Sequence, residues 1–276
     1  MKFRVLAITA VLALPFTAQA DALFGNDMAG DRKLPRTWGI GIDYFEMSQP
    51  YQIDSLSLFD GPVDLGALLV PDPSVLPIDN EVRHHDIKID VWVLPFLNVF
   101  GIYGQIDGDT RINLGVLGLP LPPETNSLAI SYDGDVFGGG VTLAFGGDSW
   151  FGSVTATVTD TSLGGDIKSS VSATTIQPRL GLRFGDHTEI WVGGYILDAE
   201  EKHSGTIDLD LGLLGSMLPP PIDGQDVAFE VDLSQSEDFN PSIGMHMMMS
   251  DAWEATVEVG AGDRRTVLAN ITYRFD

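Results

Sequence analysis

Two short runs hold the side chains best equipped for chemistry. His84-His85-Asp86, and His203-Ser204 beside Glu200 and Glu201, bring together bases, a hydroxyl and carboxylates, the parts of a hydrolytic relay. Their spacing argues against one. On an extended chain neighbouring side chains point to opposite faces, so His203 and Ser204 cannot converge on one substrate. His187 falls in a short turn and His246 on an inward phase, and both read as structural. Asp107-Gly108-Asp109 and Asp133-Gly134-Asp135 offer paired oxygens that would suit calcium, yet neither continues into a loop closing on a glutamate. Asp-Gly pairs are turn and bulge formers first. No nucleotide-binding motif is present. The chain is expected to work without metal or cofactor and not as an enzyme.

The elements that would position these residues are strands. Trp38, Ile40, Ile42 and Tyr44 alternate with Gly39, Gly41 and Asp43, and Ile87, Ile89, Val91 and Val93 with Asp86, Lys88, Asp90 and Trp92. The same period of two recurs at Phe100–Asp107, Phe137–Phe145, Val154–Thr159, Ile176–Phe184, Ile190–Ile196, Ile243–Met249, Glu254–Val259 and Thr266–Phe275. Short turns near 95–98, 146–149, 185–188 and 250–252 take turns with long connections at 48–84, 114–126, 163–169 and 207–226. That alternation predicts an all-β fold: an antiparallel transmembrane β-barrel of about ten strands, with twelve as the alternative, short turns at one rim and long loops at the other. A soluble sandwich would show the same alternation. Aromatics near strand ends (Trp38, Tyr44, Phe137, Phe145, Trp150, Phe184, Trp253, Tyr273, Phe275) favour the barrel, where such side chains form interfacial girdles.

The amino terminus sets the compartment. Lys2 and Arg4 precede an apolar run from Val5 to Phe16, and Ala18-Gln19-Ala20 completes a cleavage pattern, so 1–20 reads as a signal peptide. Residues 21–36 are then a periplasmic segment and 37–276 the barrel. Apolar residues make up 44% of the chain while the formal net charge is −24, and no stretch is apolar enough for a membrane helix. A barrel reconciles these, because its outer face is apolar and its interior and loops are not. The acidic balance excludes nucleic-acid binding through phosphate neutralisation. Zero cysteines exclude a disulfide framework.

The chain resembles the small outer-membrane β-barrel proteins of Gram-negative bacteria, over nearly the whole length after the leader. The resemblance implies an outer-membrane location, with membrane lipid and the barrel-assembly machinery as partners. In those proteins the last strand commonly ends in an aromatic; here Phe275 is followed by Asp276.

Two sets of residues remain to be assigned. Asp43, Asp86, Lys88, Asp90, Asp107, Arg111, Arg179, Arg183, Glu230, Asp232, Glu254, Glu258 and Arg274 fall on the phase expected to face the lumen, as a bracing network or a polar path. Three long connections repeat one pattern: Asp64-Leu65-Gly66-Ala67-Leu68-Leu69, Asn113-Leu114-Gly115-Val116-Leu117-Gly118-Leu119, and Asp210-Leu211-Gly212-Leu213-Leu214-Gly215. These leucines either pack as a lid above the barrel or line an access site for a small hydrophobic ligand. The expected function is a narrow channel or uptake protein for small hydrophobic solutes. The alternative is a structural or adhesion-type surface protein with a closed lumen.

Overall fold

The computed structural model describes residues 22–29, 34–70, 72–118, 122, 126–163, 168–185, 187–217 and 224–276; the expected leader lies outside them, as does Leu119. Period-two patterning becomes one antiparallel sheet of twelve strands. These are β1 (Trp38–Asp60), a two-residue β2 (Val63–Asp64), β3 (Ile78–Leu94), β4 (Leu97–Asn113), β5 (Ser127–Gly146), β6 (Trp150–Leu163), β7 (Lys168–Phe184), β8 (Thr188–Ile207), β9 (Val227–Gln235), β10 (Phe239–Met248), β11 (Trp253–Gly260) and β12 (Arg265–Phe275).

The wall closes twice. In the order β10-β11-β12-β1-β3-β4-β5-β6-β7-β8, with β8 pairing back to β10, ten strands form a ring. They are the ten that alternation picks out of the sequence. Beyond Ser48↔Arg265, β1 leaves β12, and from Tyr51↔Gln235 onward it pairs β9 instead. β8 likewise leaves β10 at Ile196↔Phe239 and pairs β9 from Glu200↔Ser234. β10, β11 and β12 have only 10, 8 and 11 residues against 23 in β1. Their place is taken higher up by β9 alone, so the barrel narrows from ten strands at the short-turn end to eight at the loop end.

Polarity inverts at about the same height. Along β3 the outward residues run Ile87, Ile89 and Val91 below, then Arg83, Glu81 and Asp79 above. The inward ones run Asp90, Lys88, Asp86 and His84 below, then Val82 and Ile78 above. From Ile78 to Val91 the pleat keeps its phase; only the chemistry on each face changes. β1 repeats the pattern: Ile40 and Ile42 face out below while Met47, Tyr51 and Ile53 face in above. The lower ring is therefore built for hydrocarbon outside, and the upper ring for water outside and an apolar core within.

Several expectations change here. The connection 48–84 is largely strand, because β1 runs to Asp60 and β3 begins at Ile78. β9, with Val227, Phe229, Val231 and Leu233 inward, is a strand where none was expected. Asp107, Arg111 and Glu230 face outward and are exposed, and Asp232 is on the same outward phase, accepting the Ser55 hydroxyl at 2.9 Å. All four lie above the membrane band, where water bathes the outer face and apolar side chains hold the inner one. Phe100 and Ile102 face in and Tyr103 out; a side chain at Gly140 would collide with the Phe100 ring.

At the short-turn end, the Leu23 and Phe24 amides donate to the carbonyls of Trp92 and Val93, laying the segment 22–29 against the foot of β3. Asp276 accepts the Thr37 amide at 3.2 Å and lies 3.9 Å from Arg36, so the residue after Phe275 is tied back to the start of β1.

The inversion predicts opposite tolerances along one strand. Ile89→Lys should cost about 2–4 kcal/mol, the penalty for a cation near the bilayer midplane. Asp79→Lys, on the same face but above the band, should stay within about 0.5 kcal/mol. Urea unfolding from lipid vesicles, followed by tryptophan fluorescence, measures both.

Candidate functional site: the barrel interior

The lower interior is an ionic ladder. The Arg274 guanidinium donates to Asp90 at 2.9 Å and pairs with Glu254 at 2.8 Å. His246 lies 3.5 Å from Glu254 and 3.8 Å from Glu189, which Arg183 holds at 2.8 Å. Asn98 adds a 2.7 Å bond to Asp90. Higher up, Arg179 meets Glu258 at 2.5 Å while stacking over the Trp191 ring at 5.0 Å, and Ser242 donates to the same carboxylate at 2.6 Å. His84 meets Asp86 at 2.5 Å, and Lys88 lies over the Phe100 ring at 5.7 Å. Asp86, Lys88, Asp90, Arg179, Arg183, Glu254, Glu258 and Arg274 thus face inward as their phase predicts. Buried charges persist only when compensated, and a pair stripped of one member leaves a stranded ion costing several kcal/mol. The pairs run from strand to strand along one arc of the inner wall and brace it.

The upper interior is closed by other means. Glu201, at 1% exposure, is the hub of a polar network that crosses the eight-stranded ring. It accepts the Tyr51 hydroxyl at 2.8 Å from β1 and the Asn80 amide at 3.5 Å from β3, and it lies 3.3 Å from His203 Nε2. Asn80 continues to Thr110 on β4 at 2.9 Å. Burial, reinforced by the Glu201 carboxylate, pushes the Tyr51 and Tyr132 hydroxyls well above their ordinary range, so both keep their protons. Above this layer Ile53, Ile78, Ile112, Ile130, Val231 and Leu233 belong to one apolar core.

The repeated leucine motif caps that core, and its first residue explains how. Asp64 accepts the Ala67 amide at 2.9 Å, Asn113 the Gly115 amide at 3.0 Å and Asp210 the Gly212 amide at 2.8 Å. Each Asx side chain starts a short helical turn: α1 (Leu65–Leu69), a 3-10 turn (Leu114–Leu117) and α2 (Gly212–Met217). The leucine that follows is turned into the barrel mouth: Leu65 is 0%, Leu114 7% and Leu211 1% exposed. Leu69 and Leu117 pack against the same core. Leu68 and Leu213 face solvent, at 53% and 78% exposure, and the Leu214 side chain lies outside the described residues. The motif therefore splits into lid-forming and outward-facing leucines.

One functional residue escaped the sequence reading. Arg264, in the connection between β11 and β12, is 1% exposed. Its Nε donates to Gln49 at 2.5 Å and its terminal nitrogen to the Glu237 carbonyl. It fills the seam where β1 exchanges β12 for β9. Burial lowers its affinity for its proton, partly offset by the Asp238 and Glu237 carboxylates. In sequence it reads only as a charged turn residue. The histidine pairs are separated as expected: His84 faces in and His85 out against Tyr44, while His203 is buried and Ser204 lies on the opposite phase.

A closed strand ring with an apolar outer band and a polar lower interior defines a transmembrane β-barrel of the Gram-negative outer membrane. No family model matches the chain, and no curated protein matches it. Among solved structures it is similar to the toluene transporter TbuX of Ralstonia pickettii, at 10% identity over 94% of this chain and 96% of that one, with a TM-score of 0.35. It is also similar to the outer membrane protease OmpT of Escherichia coli, at 8% identity over 87% and 97% with a TM-score of 0.40. The transport unit of the Escherichia coli autotransporter AIDA-I is similar at 6% identity over 93% and 95%, with a TM-score of 0.38. The likeness is one of barrel architecture, and no residue role is carried over from it.

The cap predicts a split among neighbouring leucines. Leu211→Ala should destabilise the upper ring by about 2–5 kcal/mol. Leu213→Ala should change it by no more than about 0.5 kcal/mol. Removing a cap, as in Asn113→Ala, should cost about 1 kcal/mol. Protease resistance of the loop-end half against urea, with the barrel kept in vesicles, reads all three.

Proposed function

We propose that the protein is a narrow outer-membrane channel for uptake of small hydrophobic solutes, which are admitted through the leucine-rich cap into the apolar upper interior. The observation that carries this reading is the continuity of apolar surface from the exposed Leu68, Leu213 and Met217 at the tip, through the cap, to the core beneath it. A polar solute gains nothing along such a path, whereas each methylene moved out of water is worth about 0.8 kcal/mol. The ionic ladder below offers the opposite surface, so an apolar solute would leave sideways at the seam filled by Arg264, just above the edge of the apolar outer band. Outer-membrane lipid and the assembly machinery that reads the carboxyl-terminal strand are the partners this role needs.

A second reading is favoured by one observation. The Asp90–Arg274–Glu254–His246–Glu189 chain knits five strands of the lower wall together, as suits a surface protein whose inward charges serve structure alone.

Cells expressing the unaltered protein should take up an apolar fluorescent dye faster than cells without it. Leu68→Asp with Leu213→Asp changes only exposed positions and should bring uptake back to the level of cells lacking the protein. Equal uptake by all three strains, with folded protein confirmed in the membrane, would sink the channel and leave the closed surface barrel.

A further inference from the structure

The polar network around Glu201 carries more than structure. Ser169, the register partner of His203 across β7 and β8, lies with its Oγ 2.7 Å from His203 Nδ1. On the other side of the ring, His203 Nε2 lies 3.3 Å from Glu201 Oε2. The Glu201 carboxylate accepts from the Tyr51 hydroxyl and the Asn80 amide, and acts as an acceptor toward His203 as well. In the neutral ring its acceptance assigns the His203 proton to Nε2, leaving the Nδ1 lone pair to accept the Ser169 hydroxyl. That is the proton arrangement of a serine nucleophile, a general base and an orienting acid. Burial grades the same way: Glu201 and His203 are each 1% exposed, while Ser169 keeps an intermediate exposure. The base is shielded and the nucleophile is reachable.

A fourth group fits the arrangement. The Tyr132 ring packs on His203 with centroids 5.2 Å apart, and its buried hydroxyl interacts with Asn80 and Glu201 of the same network. Val231, the register partner of His203 on β9, is fully buried and lends the surroundings apolar surface.

We propose that Ser169, His203 and Glu201 form an acyl-transfer site for carboxylic esters with a small apolar acyl group. Ser169 Oγ bonds to the ester carbonyl carbon as its proton passes to His203 Nδ1. The carbon–alkoxide bond then breaks, and the alcohol leaves with that proton. Water repeats the sequence on the acyl-serine, giving its proton to Nδ1 and releasing the carboxylic acid and the free hydroxyl. Glu201 holds the imidazolium through Nε2 in both halves. The site does not depend on solute uptake.

The test uses the full chain refolded in detergent, with heat-modifiable gel mobility as the check of folding. A fluorophosphonate probe should form an adduct that peptide mass spectrometry places on Ser169, with fluoride as the leaving group. Hydrolysis of p-nitrophenyl butyrate should be abolished by Ser169→Ala and reduced at least about 100-fold by His203→Gln, the range lost with a general base. Ser170→Ala, on the outward phase of the same strand, should retain both activities. The location of the adduct in the unaltered protein decides the matter even where a variant fails to fold. No adduct, or an adduct on any other residue, overturns the proposal.

Discussion

The rest of the structure depends on one constraint: a β-strand cannot change which face a residue points to without slipping its register. A strand that passes from hydrocarbon into water must therefore exchange the chemistry of its two faces while keeping its pleat. Here the exchange falls near Tyr44–Glu46 on β1 and His84–His85 on β3, where the outward run of isoleucines gives way to carboxylates. Below that level a buried carboxylate such as Asp90 needs Arg274 and Asn98. Above it the interior can be filled with isoleucine and valine, each stabilising by about 1.5–3 kcal/mol when fully buried.

Narrowing from ten strands to eight follows the same logic. Water outside removes the need for a wall wide enough to carry an ionic ladder, and an eight-stranded ring is just wide enough for side chains to fill. The change in strand number leaves a wedge beside β1, and a buried guanidinium occupies it. Arg264 suits the wedge because its planar fork can bond Gln49 and the Glu237 carbonyl at once, whereas an ammonium is a single point charge. The seam, the Glu201 hub and the leucine cap lie in successive layers, so the upper half reads as a small water-soluble barrel mounted on a membrane one.

The three caps show how a local rule serves a distant core. In each, an Asx side chain bonds an amide two or three residues on, and the resulting turn aims the next leucine into the mouth. The repeat was legible as a repeat because its composition is unusual for a surface loop. Its division into buried Leu65, Leu114 and Leu211 and exposed Leu68 and Leu213 was not legible, since the loop's periodicity contains nothing that names the side facing the barrel. Ser169 and His203 illustrate the same limit. Sequence draws the eye to Ser204, the chain neighbour, while the sheet supplies Ser169 from the strand alongside.

What the sequence determined by itself is the membrane ring: ten alternating segments, their short turns, and the nine inward charges, Asp43 among them, that lie within the band. Period-two alternation is a local property, and lipid outside makes the apolar phase unambiguous. Only the tertiary structure decided that Arg111, Glu230 and Asp232 face water, that Val227–Gln235 is a wall strand, and that Arg264 is buried. Each of these depends on where the membrane ends and on which strand stands next to which. Pattern along one strand is silent on both, because the same alternation of apolar and polar residues serves a lipid-facing wall and a water-facing one with its two faces exchanged.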